Sequence, residues 1–173
     1  MTSVREIRQK ARRVQRGYAG DADRPLAGYV GAMGAYGAFV GALTVLGRVV
    51  GARLPRHIGA GDTVLLGAAT FKASRMLAKS AITSPLRAPF TRYEEPAGED
   101  ELNESVPGKG HAAHAVGELV SCPFCLDVWI GTGLAAGLVL APRPARLAAT
   151  VLTAIGAADV LHLLYDAGKK FAG

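Results

Sequence analysis

Apolar and polar positions follow each other along this chain in long blocks, and the blocks predict four helices. The longest uncharged block is 26–47, and about 20 apolar residues suffice to cross the hydrocarbon core of a bilayer. Three further segments, 62–83, 116–141 and 146–169, are rich in small apolar residues but contain charges. Charges at membrane depth are costly unless they face the interior of a bundle. We therefore predict an all-α integral membrane helical bundle, about four membrane-embedded helices within 25–173.

Residues 1–24 form a separate, basic segment. Apolar side chains recur at helical spacing at Val4, Ile7, Ala11 and Val14. The basic residues are Arg5, Arg8, Lys10, Arg12, Arg13, Arg16 and Arg24. This pattern predicts an amphipathic helix on the anionic leaflet of a membrane, and a solvated basic tail is the alternative. Nucleic-acid binding is not expected, because stacking aromatics are not interleaved with the basic residues.

Composition supports helices that pack closely in lipid. Half of the residues are hydrophobic but only 6% are aromatic, and 22 are glycine. Small residues allow membrane helices to approach each other. Two GxxxG pairs, Gly37 with Gly41 and Gly133 with Gly137, are candidate packing positions for a protein partner or a second copy. A glycine-rich helix without a dedicated partner is the alternative.

The segment 84–115 differs from the rest of the chain. Its acidic residues are Glu94, Glu95, Glu99, Asp100, Glu101 and Glu104, with proline and glycine around them. Such a composition buries too little apolar surface to order itself, so we predict a solvated, mobile loop.

The distribution of basic residues predicts an orientation. Four spans place both termini and the acidic loop on one side, which then holds twelve lysines and arginines against five on the other. Cytoplasmic segments carry the excess of basic residues. We therefore expect a multi-pass protein of the cell (inner) membrane with cytoplasmic N- and C-termini.

The second and fourth predicted helices each carry three polar residues spaced i, i+3 and i+7. They are Lys72, Arg75 and Lys79, and Asp159, His162 and Asp166. Because the two helices run in the same direction, these stripes can face each other and pair Lys72 with Asp159. The same alignment pairs Lys79 with Asp166. It also places Arg75 near His162. Separate snorkelling of each stripe to the headgroups is the alternative.

Two further acidic residues, Glu118 and Asp127, lie near the same membrane face. With the two stripes they complete a predicted intramembrane polar cluster of eight residues.

The only two cysteines form a Cys-x-x-Cys element, Cys122 to Cys125, at the start of an apolar helix. Three interpretations remain open. With His111 and His114 the cysteines offer four zinc-compatible ligands. A cysteine at a helix N-terminus is also a better nucleophile, which allows thiol redox chemistry. Finally, the thiols and Pro123 can simply shape the helix entry. A reducing cytoplasm disfavours a structural disulfide.

Two blocks of sequence resemble a known bacterial family. They are Leu86-Arg87-Ala88-Pro89-Phe90-Thr91-Arg92-Tyr93 and the run from His114 to Cys125, His114-Ala115-Val116-Gly117-Glu118-Leu119-Val120-Ser121-Cys122-Pro123-Phe124-Cys125. The chain resembles, over about residues 62–168, the small membrane proteins of domain-of-unknown-function family thirteen-sixty. The resemblance implies a multi-span inner-membrane protein with no assigned activity. His114, Glu118, Cys122 and Cys125 match its motif, and His111 does not.

These patterns favour a non-enzymatic membrane scaffold or accessory subunit whose Cys-x-x-Cys element is structural or binds zinc. The first alternative is a membrane thiol-redox protein that uses Cys122 and Cys125. The second is a small transporter built around Lys72, Asp159 and His162.

Overall fold

The structure, a computed structural model, describes residues 4–19, 25–107 and 110–172. Its helices are α1 (Val4–Ala19), α2 (Leu26–Val49), α3 (Ala60–Lys79), α4 (Ser84–Arg87), α5 (His111–Ser121), α6 (Pro123–Leu140) and α7 (Pro142–Ala172). A 3₁₀ turn (Ala81–Thr83) precedes α4, and strands β1 (Arg92–Pro96) and β2 (Leu102–Ser105) lie between α4 and α5. Arg24 and Lys109, both counted above as cytoplasmic basic residues, lie outside the described residues.

The predicted helical membrane fold is confirmed in its main feature. Within the described residues, three helices are long and apolar enough to cross a membrane, and they are Leu26–Val49, Pro123–Leu140 and Pro142–Phe171. α3 is not one of them, and its second half carries three basic residues. The count of four spans therefore stays a prediction. The hairpin of β1 and β2 is a departure from an all-α fold.

α3 occupies the centre of the molecule, with α6 and α7 packed against it. Its buried residues are small, including Ala69, Ala73 and Ala78. On α6, a Cβ added to Gly131 would lie 3.4 Å from the side-chain oxygen of Thr70. Small side chains on facing helices allow this close approach, as expected for helices in lipid.

α2 packs against α5 through Gly28, which lies against His111 and Ala115, and against α6 through aromatic side chains. The ring of Trp129 on α6 lies between Tyr36 and Phe39, with centroid distances of 5.3 and 5.5 Å. The Tyr36 hydroxyl shares a 2.8 Å hydrogen bond with the hydroxyl of Thr132. These half-buried aromatic residues, one with a paired hydroxyl, thus fix one face of α2 on the bundle.

The glycines of the second GxxxG pair pack inside the protein. A Cβ on Gly133 would lie 3.8 Å from the ring of Phe39, and one on Gly137 would lie 3.0 Å from the Cβ of Ala145. This pair therefore supports the contacts of α6 with α2 and α7.

The prediction of an unstructured loop over 84–115 is wrong. β1 and β2 pair antiparallel, with Arg92 opposite Ser105 and Pro96 opposite Leu102. The amide of Ala81 donates a 3.2 Å hydrogen bond to the carbonyl of Asp100, which ties the hairpin turn to the end of α3. The composition was misleading because two of the acidic side chains pair with basic residues of the helices: Glu101 with Arg75 and Glu104 with Arg87.

The predicted third helix, 116–141, is two helices that meet at Cys122. This residue is extended, with φ −106° and ψ 108°. The residue before a proline is disfavoured in the helical region, and Pro123 then begins α6 at a position where proline is favoured.

Candidate functional site

A buried ion pair joins the acidic hairpin to the helical bundle. Arg87 on α4 donates two hydrogen bonds to the carboxylate of Glu104 on β2, at 2.8 and 2.9 Å. Thr91 donates a third, at 3.0 Å. The two charged side chains are 1% and 5% exposed. We call these three residues the Arg87 clamp.

The same guanidinium satisfies the end of α3. It donates to the carbonyls of Leu77 and Ser80, at 2.7 and 3.1–3.2 Å, and to the hydroxyl of Thr83 at 2.8 Å. The last carbonyls of a helix have no partner within the helix. Arg87 therefore serves as a C-terminal cap of α3 while it holds Glu104.

The electrostatics of the clamp act in opposite directions. Burial works to raise the pKa of Glu104, whereas hydrogen bonds from Arg87 and Thr91 and the charges of Arg87 and Lys79 lower it. Together the hydrogen bonds and the positive charges outweigh the effect of burial, so the pKa of Glu104 lies below its usual value. Glu104 is thus held as a carboxylate.

The predicted pair between Lys72 on α3 and Asp159 on α7 is present, with 2.6 Å between Nζ and Oδ2. Here the lysine side chain is 19% exposed and the aspartate 49%. A second pair, Arg146 with Asp62, joins the starts of the same helices at 2.6 Å. The two pairs show that α3 and α7 run parallel over this length.

The predicted pair between Lys79 and Asp166 does not form within the described residues. Arg75 donates two hydrogen bonds to Glu101, at 2.9 and 2.5 Å, and so pairs with the hairpin, although Arg75 and His162 line the same cavity. Asp166 lies 3.4 Å from Lys169, one turn further along α7. Lys79 lies near Glu104, where its charge contributes to the clamp. The hairpin offers carboxylates that a comparison of two helices alone cannot include.

The eight-residue polar cluster is therefore divided. Five of its members line one cavity between α3, α7 and the hairpin turn, and they are Lys72, Arg75, Asp159, His162 and Asp166. The remaining three lie elsewhere. Lys79 lies near Glu104, as described above. Glu118 lies on α5, 3.4 Å from His114. Asp127 lies on α6 with one buried carboxylate oxygen that has no hydrogen-bond partner within the described residues.

The Cys-x-x-Cys element caps α6. The Cys122 sulfur accepts a 3.2 Å hydrogen bond from the amide of Cys125, the position that an N-cap oxygen usually serves. Both cysteines are free thiols; Cys122 is half-buried and Cys125 is exposed. The element thus has a definite structural role at the junction of α5 and α6.

The four-ligand zinc site is not formed. Over residues 4–19, 25–107 and 110–172, no group of three or more His, Cys, Asp or Glu side chains is placed to hold a metal ion. The reason is the helix between the two pairs of residues. At 1.5 Å per residue, α5 separates His114 from Cys122 by roughly 12 Å and His111 from Cys122 by roughly 16 Å.

Sequence reasoning missed the Arg87 clamp. Arg87 and Thr91 fall in the first of the two family-like blocks, and their i, i+4 spacing places both on one side of a turn. Their partner Glu104 is 17 residues from Arg87 in the chain. The available signal was a family-like block, residues 86–93, that contains arginine but no acidic residue, so that a partner from outside the block could be expected.

The three apolar spans α2, α6 and α7, the last two packed on α3, define a helical membrane protein. The chain belongs to the family described as "Protein of unknown function (DUF1360)", whose model matches residues 65–165. It is 31% identical over 103 residues to sporulation protein YjcA of Bacillus subtilis (strain 168), an alignment that covers 58% of this chain and 87% of that protein. No solved structure matches the chain significantly. The family match contains the clamp, the Cys-x-x-Cys element and the residues that line the cavity except Asp166, while α1 and α2 lie before it.

Proposed function

We propose that this protein is a small non-enzymatic scaffold or accessory subunit of the cell (inner) membrane, with both termini in the cytoplasm. The observation that supports the proposal is the two-sided character of α2. One side carries Tyr36 and Phe39 and packs on the bundle. On the opposite side, a Cβ added at Gly34, Gly37 or Gly41 would meet nothing within 4 Å.

The helical geometry separates these two sides cleanly. Each residue turns about 100° around the axis, so Gly37 and Gly41 lie within about 40° of each other and roughly 100–140° from Tyr36. Glycines without inward contacts leave a shallow surface on which a second helix can approach closely. A second copy of α2 fits because two identical small-residue surfaces form a symmetric, self-complementary contact.

α1 supports a membrane location at the other end of the chain. Ile7, Val14 and Tyr18 are 57%, 58% and 67% exposed and recur on one side of the helix, while arginines occupy the remaining surface. A basic amphipathic helix of this kind binds the surface of an anionic leaflet. We propose that α1 lies on the cytoplasmic leaflet beside the first residues of α2.

Disulfide cross-linking between copies tests the assembly. In a Cys122→Ser/Cys125→Ser background, Gly37→Cys or Gly41→Cys should form dimers when native membranes are oxidised. Ala35→Cys is the matched control, because Ala35 is exposed on a flank of α2 about 100° or more from these glycines. Equal cross-linking at all three positions, or none at the glycines, would contradict assembly through this side of α2.

One observation favours the redox alternative. The Cys122 sulfur lies at the start of α6 and accepts a hydrogen bond from the amide of Cys125, so the two cysteines are adjacent at the end of the helix. In such a protein the two thiols would be oxidised to one disulfide while a substrate disulfide is reduced to two thiols. A Cys125→Ser variant would then accumulate mixed disulfides in cells, trapped by acid quenching. Fully reduced Cys122 in that experiment would remove this alternative.

A further inference from the structure

α3 and α7 contact each other closely up to the Lys72–Asp159 pair. The Thr153 hydroxyl donates to the carbonyl of Leu65 at 3.3 Å. A Cβ added to Gly156 would lie 3.5 Å from the Cβ of Lys72. Beyond the pair, Arg75 on α3 turns to the hairpin. A cavity of about 730 Å³ lies here between α3, α7 and the hairpin turn.

The wall of this α3–α7 cavity changes character along its length. Phe71, Met76, Val160 and Leu163 supply an apolar part. Phe71, Val160 and Leu163 are 59%, 54% and 63% exposed, so this part is not covered by the protein's own core. The volume lies within the range of roughly 300–1,000 Å³ that holds small ligands.

The polar part of the wall is rich in carboxylates. Its charged residues are Lys72, Arg75, Glu99, Asp100, Glu101, Asp159 and Asp166, five acids and two bases. Both bases are already paired, with Asp159 and with Glu101. Within the described part of the chain, Glu99 makes no side-chain hydrogen bond or ion pair. Asp166 is half exposed and shares only a 3.4 Å contact with Lys169. The surplus charge that faces the cavity is therefore negative.

We propose that the α3–α7 cavity binds an amphiphile that carries an ammonium group on an alkyl chain. The alkyl chain would lie along Val160 and Leu163, and the ammonium would lie between Glu99 and Asp166. An ammonium complements carboxylates, whereas an anionic headgroup would meet two bases that are already neutralised. The ligand comes either from the bilayer, as an ethanolamine lipid, or from solution, as a free alkylamine. This proposal is independent of assembly through α2.

Native mass spectrometry of the full chain in detergent tests the site. We would add phosphatidylethanolamine, dodecylamine or phosphatidylglycerol and measure the bound fraction. Ammonium probes should bind at least about fivefold more tightly than phosphatidylglycerol, the effect of roughly one favourable charge pair. If phosphatidylethanolamine binds more tightly than dodecylamine, the ligand comes from the bilayer. If dodecylamine binds more tightly, the ligand comes from solution. Equal binding of all three, or preference for phosphatidylglycerol, would overturn the proposal.

Two adjacent leucines provide a matched pair of variants. Leu163 lines the cavity and Leu164 does not, while their exposures, 63% and 62%, are nearly equal. Leu163→Trp should fill the cavity and reduce binding of the preferred ammonium probe about fivefold or more, whereas Leu164→Trp should leave it unchanged. Equal loss in both variants would mean that the probes bind the general lipid-facing surface.

The carboxylates are tested separately. Glu99→Gln/Asp166→Asn should abolish the preference for ammonium over anionic probes and keep the fold, since both side chains are at the surface. Glu95→Gln, an exposed acid on β1 outside the cavity, is the control. A preference that survives the double variant would show that these carboxylates do not select the ligand.

Discussion

Two ion pairs of this protein differ in burial, and they hold two different parts of the molecule together. Arg87 and Glu104 are 1% and 5% exposed and satisfy each other through two hydrogen bonds. Lys72 and Asp159 are 19% and 49% exposed and meet through one contact at 2.6 Å. The first pair attaches the hairpin to the bundle. The second joins α3 to α7 at the wall of the α3–α7 cavity.

The comparison shows what burial does to a charge pair. A buried ion pair stabilises the fold little more than apolar residues of the same shape would. Removing one partner, however, leaves an uncompensated charge in the interior and is strongly destabilising. A pair that is half exposed loses less, because water or lipid headgroups solvate the remaining charge. The three ion pairs tested below, Arg87–Glu104, Lys72–Asp159 and Arg146–Asp62, should therefore rank by burial.

The largest effect is expected for Arg87→Met. The variant leaves the Glu104 carboxylate buried and the end of α3 without its donor, which should lower the free energy of unfolding by about 3–5 kcal/mol. Denaturant titration in mixed micelles measures it. Arg92→Met, an exposed arginine on β1, is the control. Arg87→Met/Glu104→Leu should recover part of the loss, and a double variant that is no more stable than Arg87→Met would argue against a pairwise clamp.

The second-largest effect is expected from acid, which should weaken the attachment of the hairpin to the bundle. Because the folded-state pKa of Glu104 is lowered, its contribution to stability is complete above the unfolded pKa, about 4.3, and is lost as pH falls through the lower folded value. Proteolysis of the hairpin should therefore accelerate below about pH 4. Glu104→Gln has no such group to titrate and should lack this step. If proteolysis of the Glu104→Gln hairpin still accelerated below the same pH, protonation of other carboxylates would be the cause.

A smaller loss is expected for Lys72→Met. Asp159 loses its partner but remains half exposed, so the free energy of unfolding should fall by about 1 kcal/mol. Lys170→Met, near the exposed end of α7, serves as the control. A Lys72→Met protein as stable as the wild type would mean that this pair contributes nothing to the contact between α3 and α7.

The smallest effect is expected for Arg146→Gln. Its side chain is 55% exposed and that of Asp62 is 30% exposed. Such a pair should contribute within about 0.5 kcal/mol to the free energy of unfolding, measured in the same titration. If Arg146→Gln cost as much as Arg87→Met, burial would not be what distinguishes the pairs.

Helical periodicity made part of this structure predictable. Lys72 and Asp159 lie on regular helices, so their spacing within each stripe was enough to align them. The uncharged run that became α2 was equally clear from its length. These predictions succeeded because the geometry of a helix is fixed by residue number alone.

The clamp and the hairpin could not be predicted in the same way. Glu104 belongs to a segment whose composition resembles that of a disordered loop, and its contacts with Arg87 and Thr91 give it a buried position. This outcome depended on tertiary contacts that local spacing does not encode. The zinc hypothesis failed for a local reason, because α5 is helical and separates the histidines from Cys122.

Hydrogen exchange of residues 92–105 tests the central claim, that the acidic segment is a folded part of the bundle, most directly. In detergent at neutral pH, the paired amides of β1 and β2 should exchange at least about a hundredfold more slowly than in an unstructured peptide. Arg87→Met should remove this protection and Lys72→Met should preserve it. Exchange of the wild-type segment at the unstructured rate would contradict the account, because the segment would then be the mobile loop that its composition suggests.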